Sequence, residues 1–398
     1  LHQRGKGESF GREPNYKGGF DTVSIYLQNN PDSHFFASKG LILGGSHSPS
    51  PLNRNAHCGD LSAVLLQNLN PLVNLIRVPN KKIILMDEWE SKIKAIVEST
   101  WKTDVNSLSG VPSWMLVLIK AVLQKTGSEY LTDVWPNMEV FFHGGISFEP
   151  YRDQYKALIP SDRMHYMETY NASEGFFGLQ DNPEEHSLLL MIDYSVFYEF
   201  IPINEVGEEH PTVLPLEAVE VGKNYAMVIT TSGGLWRYQI GDTVRFTSLY
   251  PHKFVISGRT KNFINAFGEE LMVDNADKAI SRVCRQTGAK VKEYTAAPLF
   301  MLDKAKGRHQ WMIEFEKMPP SLDDFASLLD KTLQQLNSDY EAKRYKEISL
   351  QPLEIRVARE GTFYEWLRRK GKLGGQHKIP RLSNDRTFIE ELGKICDL

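Results

Sequence analysis

Tyr170, Ser173 and Glu174 place an aromatic ring, a hydroxyl and a carboxylate within five residues. They follow a strand-like run, Met164 to Thr169, and lie in the turn-rich stretch METYNASEGFFGLQ. A flat ring suits a nucleobase, a hydroxyl suits a phosphate oxygen, and a carboxylate suits Mg²⁺. The set therefore fits a nucleotide polyphosphate. A polar loop after a buried strand has the same composition, and a segment this short does not separate the two readings.

Such a turn needs a strand to present it. From Asp21 to about Ser257 the sequence alternates strand and helix patterns. GLILGG (Gly40 to Gly45) and VFFHGG (Val140 to Gly145) are apolar runs stopped by glycine pairs. Leu61 to Leu75, Glu88 to Trp101 and Val111 to Leu123 have helical spacing, with Pro112 where a first helical turn tolerates it. Alternation of this kind predicts an α/β sheet covered by helices. Ligands of such sheets sit at the carboxyl ends of strands, where both HGG (143–145) and YNASEG (170–175) fall. After Leu188 the pattern becomes consecutive short strands, which predicts a barrel-like antiparallel portion. From Gly258 a smaller α+β module follows, with a long helix starting at a Ser cap in SLDDFASLLDK. The expected division is a large domain over 1–258 and a small domain over 259–398, joined at SGRTKN. The N-terminal LHQRGKGESFGREPNYKGG is polar and Gly-rich, and the apolar pattern starts abruptly at Asp21, as if a preceding unit were missing; a disordered leader is the plain alternative.

Composition narrows the function classes. The chain has 398 residues, with 41% hydrophobic and 24% charged content, which is ordinary for a globular protein. A formal net charge of −4 gives no global field for nucleic acid. The basic run Arg368, Arg369, Lys370, Lys372, Lys378, Arg381 lacks interleaved aromatics. Cys58, Cys284 and Cys396 have no metal-ligand spacing and read as reduced thiols of a cytoplasmic protein. His47 and His143 lack a second ligand nearby. No apolar run reaches membrane-spanning length.

FFHGG, TYNASEGFF, GGLWRYQIGD and SGRTKNFINAFGEEL, taken in order, resemble the GH3 family of acyl-acid amido synthetases, within the adenylate-forming superfamily. YNASEG is similar to that family's YGSSEG, and LWRYQIGD to its LYRYRVGD. The resemblance implies ATP and Mg²⁺ as cofactors, and a carboxylic acid and an amino acid as partners. It implies Tyr170 against adenine, Ser173 at the α-phosphate, Glu174 on Mg²⁺ and Asp242 on the ribose hydroxyls. Gly144 and Gly145 would let the backbone approach adenine, which a Cβ would obstruct. Arg259 would contact the nucleotide beside a hinge. Lys261 reads equally as a solvated charge. GGQHKIPR is similar to the family's QYKTPR, which implies that Lys378 is a catalytic lysine of a mobile C-terminal domain. Val111, Trp114 and Met115 would line an acyl pocket.

One departure stands beside these matches. Adenylate-forming enzymes carry a Ser/Thr/Gly-rich phosphate loop ahead of the region matching Asn15. GKGESFG at 5–11 has the wrong order for one. The expectation is therefore a GH3 protein lacking its first segment, with a sheet short of strands and ATP turnover in question. An acyl-CoA ligase and a non-catalytic AMP- or acyl-binding remnant remain alternatives.

Overall fold

The computed structural model describes residues 7–45, 47–50, 53–145, 148–149, 151–260, 262–267, 269–300, 307–344, 350–371 and 379–396. Lys261 and Lys378 lie outside them.

Twelve strands form one sheet. Arg77–Val78, Lys39–Ile42, Val105–Gly110, Val140–Gly144 and His165–Ala172 lie side by side and parallel. Beyond His165–Ala172 every pairing is antiparallel, through Gly175–Leu179, Leu188–Leu190, His252–Arg259, Tyr238–Leu249, Asn224–Thr231, Val196–Pro202 and Leu214–Pro215. The antiparallel strands thus extend the parallel set. Their side chains converge on one cluster containing Tyr170, Phe177, Tyr198, Phe200, Tyr225 and Phe254.

Period-two alternation gives the parallel strands two buried faces. Phe141 joins Met115, Ile119, Phe148 and Tyr155 beneath the helices Trp89–Thr100, Pro112–Thr126 and Arg152–Leu158. Its neighbours Val140 and Phe142 pack on the other face against Tyr26. Just past the strand Lys39–Ile42, Lys92 is buried and donates to the carbonyls of Gly44 and Gly45 at 2.7 and 2.9 Å.

The expected disordered leader is corrected from residue 7 onward. Gly7–Asn29 is one helix, with Pro14 inside it. Sequence periodicity gave no sign of it, because tertiary docking holds it in place. A Cβ on Gly18 would collide with the Phe176 ring. Lys17 pairs with Asp193 at 2.8 Å, and Tyr194 donates to Asp21.

A further core gathers side chains from Ile264 to Leu382, including Trp311, Phe325 and Tyr340. It surrounds a sheet in which Gly307–Lys317 pairs antiparallel with Lys290–Phe300 and parallel with Glu354–Ala358. The helix Leu322–Leu336 starts at Ser321, whose hydroxyl accepts from Asp324 N at 3.2 Å. This unit meets the large sheet through polar pairs. Arg285 reaches Glu149 at 2.6 Å, Arg245 reaches Asp274 at 2.7 Å, and Arg381 donates to the Tyr151 hydroxyl at 2.8 Å. No described helix is long and apolar enough to cross a membrane.

Candidate nucleotide and acyl site

The turn Ser173–Glu174 is the tip of a tight hairpin, since Ala172 pairs with Gly175. A register shift between Tyr170 and Asn171 interrupts the ladder just before it. Irregularities of this kind re-aim side chains next to active sites. The N-terminal helix supports the hairpin from outside. Asn15 is buried, donates to Ala172 O at 3.4 Å and accepts from Asn171 Nδ2 at 3.2 Å. Sequence reasoning passed over Asn15, which lay in the presumed leader.

Tyr170 points inward. Its ring is 5% exposed, with Phe177 and Phe254 at centroid distances of 5.1 and 6.1 Å. Its hydroxyl donates to Asp242 Oδ2 at 2.6 Å. Burial, then the charge of Asp242, pushes the phenol well above its ordinary range. The Tyr170 hydroxyl therefore holds the Asp242 carboxylate in place.

Asp242 follows Gly241, whose φ of +84° suits a residue without Cβ. Strand register sets Asp242 opposite Arg259, and Arg259 Nε donates to Oδ1 at 2.7 Å. Burial acts to lower the Arg259 pKa, but Asp242, Tyr170 and Glu174 outweigh it and the net shift is upward. Tyr170, Asp242, Arg259 and Glu174 thus form one electrostatic group built from three strands and a turn. Glu174 is half-buried and Ser173 is exposed.

Gly144 and Gly145 end the adjacent parallel strand, which sets His143 beside Glu168 and Gly144 beside Thr169. A Cβ on Gly144 would collide with the Thr169 carbonyl oxygen, so close strand approach alone requires glycine there. Gly145 is exposed at φ +86°. Burial, reinforced by Arg152, lowers the His143 pKa to about 3, and the imidazole is neutral. Glu168, two residues before Tyr170, is raised to about 7, chiefly by burial; Arg152 opposes the shift and Asp274 adds to it. The signal for Glu168 and Tyr166 was available as two-residue spacing from Tyr170 along one strand face.

Of the pocket candidates, Met115 is fully buried in the core, while Trp114 is half-buried with its ring on Trp89 at 4.6 Å. Val111 caps the helix Pro112–Thr126.

A mixed sheet with an α+β unit docked at its carboxyl edge is the architecture of the adenylate-forming enzymes. Over 96% of this chain and 77% of its own length, a GH3.15 acyl acid amido synthetase structure superposes with a TM-score of 0.74 at 17% identity. A 2-hydroxyisobutyryl-CoA ligase superposes at 0.57 with 13% identity, over 90% of this chain and 68% of the ligase. Sequence patterns of the GH3 family match in three parts: the N-terminal domain at residues 4–164, the central domain at 189–259 and the C-terminal domain at 274–387. The chain belongs to the GH3 family. Indole-3-acetic acid-amido synthetase GH3.4 of Arabidopsis thaliana is 30% identical over 318 residues, covering 72% of this chain and 51% of that protein. The 4-substituted benzoates-glutamate ligase GH3.12 of the same plant is 27% identical over 78% of this chain and 59% of its own length. The chain spans about half the length of the curated relatives it matches.

Proposed function

We propose that this chain carries the acid-activating and amide-forming site of an ATP-dependent acyl-acid amido synthetase. The observation that supports this best is the convergence of Asp242, Arg259 and Glu174 at the edge where Gly144 and Gly145 end their strand.

In this reading the acid's carboxylate oxygen attacks the α-phosphorus of ATP. The α–β anhydride bond breaks and pyrophosphate leaves. An amino acid's nitrogen then attacks the acyl carbon, the bond to AMP breaks and the nitrogen loses a proton. Splitting the reaction replaces a poor leaving group with a good one.

Asp242 is the ribose acceptor. Both its oxygens are already engaged, but a carboxylate has about four acceptor positions, and Tyr170 and Arg259 hold it oriented. Arg259 is half-exposed and contacts the nucleotide. Ser173 meets the α-phosphate. Glu174 would hold Mg²⁺, an ion that uses one or two carboxylates plus substrate phosphates rather than a larger protein ligand cluster. When bound, the metal neutralises phosphate charge. By its likeness to the family motif Lys378 would be the catalytic lysine, and we propose that the C-terminal unit moves as a lid from residue 259 onward.

Acid-dependent exchange of labelled pyrophosphate into ATP tests the first half, and acceleration of AMP release by amino acids tests the second. Asp242→Ala and Glu174→Ala should each suppress the exchange strongly. Acceleration by coenzyme A in place of amino acids would move the assignment to thioester formation. AMP binding without exchange would reduce it to a binding role.

A further inference from the structure

Two buried polar atoms beside this site have no partner among the described residues: His143 Nδ1 and the Tyr166 hydroxyl. Buried polar groups are nearly always hydrogen-bonded, and those that are not call for an explanation. Neighbouring hydroxyls in the same cluster are satisfied. Tyr155 donates to Pro112 O at 2.7 Å, and Tyr151 accepts from Arg381 at 2.8 Å. Trp135 Nε1 of the same cluster is unpaired as well, so orphaned atoms in this core are not confined to this pair.

His143 and Tyr166 belong together. Phe148 stacks on His143 at 4.3 Å and lies 4.9 Å from the Tyr166 ring. Register places Tyr166 beside Phe141 on the strand that leads to Tyr170. Four residues of strand, about 13 Å, separate Tyr166 from Tyr170. A medium-chain acyl group covers most of that span, and an aryl acid covers the nearer part of it, where His143 lies beside Glu168.

We infer that His143 and Tyr166 form a hydrogen-bonding subsite for the tail of the acid, so that acids carrying a neutral hydroxyl or carbonyl are selected over wholly hydrocarbon ones. This rests on the acid-activating reading above. A neutral group fits better than a charged one. His143 is only 3% exposed and stays uncharged, so it offers no cation to an anionic tail. Arg152 is already met by Glu149 at 3.2 Å, with its guanidinium over Phe148 at 4.9 Å, and Glu168 lies in its field. The preference follows from the same geometry. Both atoms are already buried and unpaired without ligand, so an apolar group changes nothing there, whereas a hydroxyl gains their hydrogen bonds.

The test uses the full chain and pairs of acyl-sulfamoyl adenosines: ortho-, meta- and para-hydroxyphenylacetyl compounds, each beside its methyl counterpart. Calorimetry should show at least one hydroxyl compound binding about tenfold or more tighter than its methyl partner. Tyr166→Phe and His143→Phe should each shrink that preference to about threefold or less by the same argument, while affinity for the methyl compound holds. Without ligand, the melting temperature of Tyr166→Phe should equal or exceed that of the parent, since no native bond is lost. Equal affinities for every pair, or a preference unchanged in both variants, would overturn the subsite while leaving acid activation intact. A large fall in the melting temperature of Tyr166→Phe would reveal a structural partner and also overturn it. Binding of AMP but of no acyl compound would remove the acid-activating reading, and the subsite with it.

Discussion

Tyr170 and Asp242 are joined by a 2.6 Å hydrogen bond across 72 residues of sequence. The donor lies just before the hairpin tip and the acceptor on a strand in another part of the sheet. The bond, with Arg259 on the other oxygen, gives the carboxylate one orientation. Its protein partners come from strands that do not adjoin in sequence.

This arrangement makes two substitutions unequal. Asp242→Ala leaves the Tyr170 hydroxyl buried and unpaired, which should cost about 1–3 kcal/mol of stability. Tyr170→Phe keeps the ring packing and removes the donor, and the carboxylate retains Arg259, so its cost should be about 1 kcal/mol or less. Urea denaturation of both variants measures the difference. Equal losses would mean that the hydroxyl finds another partner.

Two glycines should respond to alanine with opposite signs. Gly144→Ala drives a Cβ into the Thr169 carbonyl, a backbone atom fixed by strand pairing, and should destabilise by at least about 2 kcal/mol. Gly19 lies in the N-terminal helix, and a Cβ there would meet nothing within 4 Å, so Gly19→Ala should stabilise by about 0.5–1 kcal/mol. Thermal melts of the two variants check both signs.

Glu168 should make stability fall as pH rises. Its folded pKa of about 7 lies above the unfolded carboxylate value, so the folded state holds the proton more tightly. The contribution is complete below about pH 4.5 and lost as pH climbs through about 7. Glu168→Gln removes the ionisation. Its melting temperature should match the parent's at pH 4 and exceed it above pH 7. The gain is bounded by about 3 kcal/mol and reduced by the partial exposure of the side chain. A constant difference across this range would show that the carboxyl titrates normally.

The local grammar of the site was legible in the sequence. The strand carrying Tyr170, the two-residue turn at Ser173 and Glu174 and the glycine pair after His143 are all set by short-range chemistry. Glycine permits a positive φ at Gly145 and Gly241, and period two shows which side chains share a face. The Ser321 cap is local in the same way. What the tertiary structure decided was pairing. That Tyr170 packs against Phe254 and donates to Asp242 depends on strands far along the chain, which no local pattern specifies. The helix Gly7–Asn29 has too weak an apolar face to announce itself, and it exists because the sheet offers Phe176 and Asp193 as docking points. The two unpaired atoms on His143 and Tyr166 belong to that same level. A residue's type shows that it can form a hydrogen bond, and only the packed structure shows that none has been made.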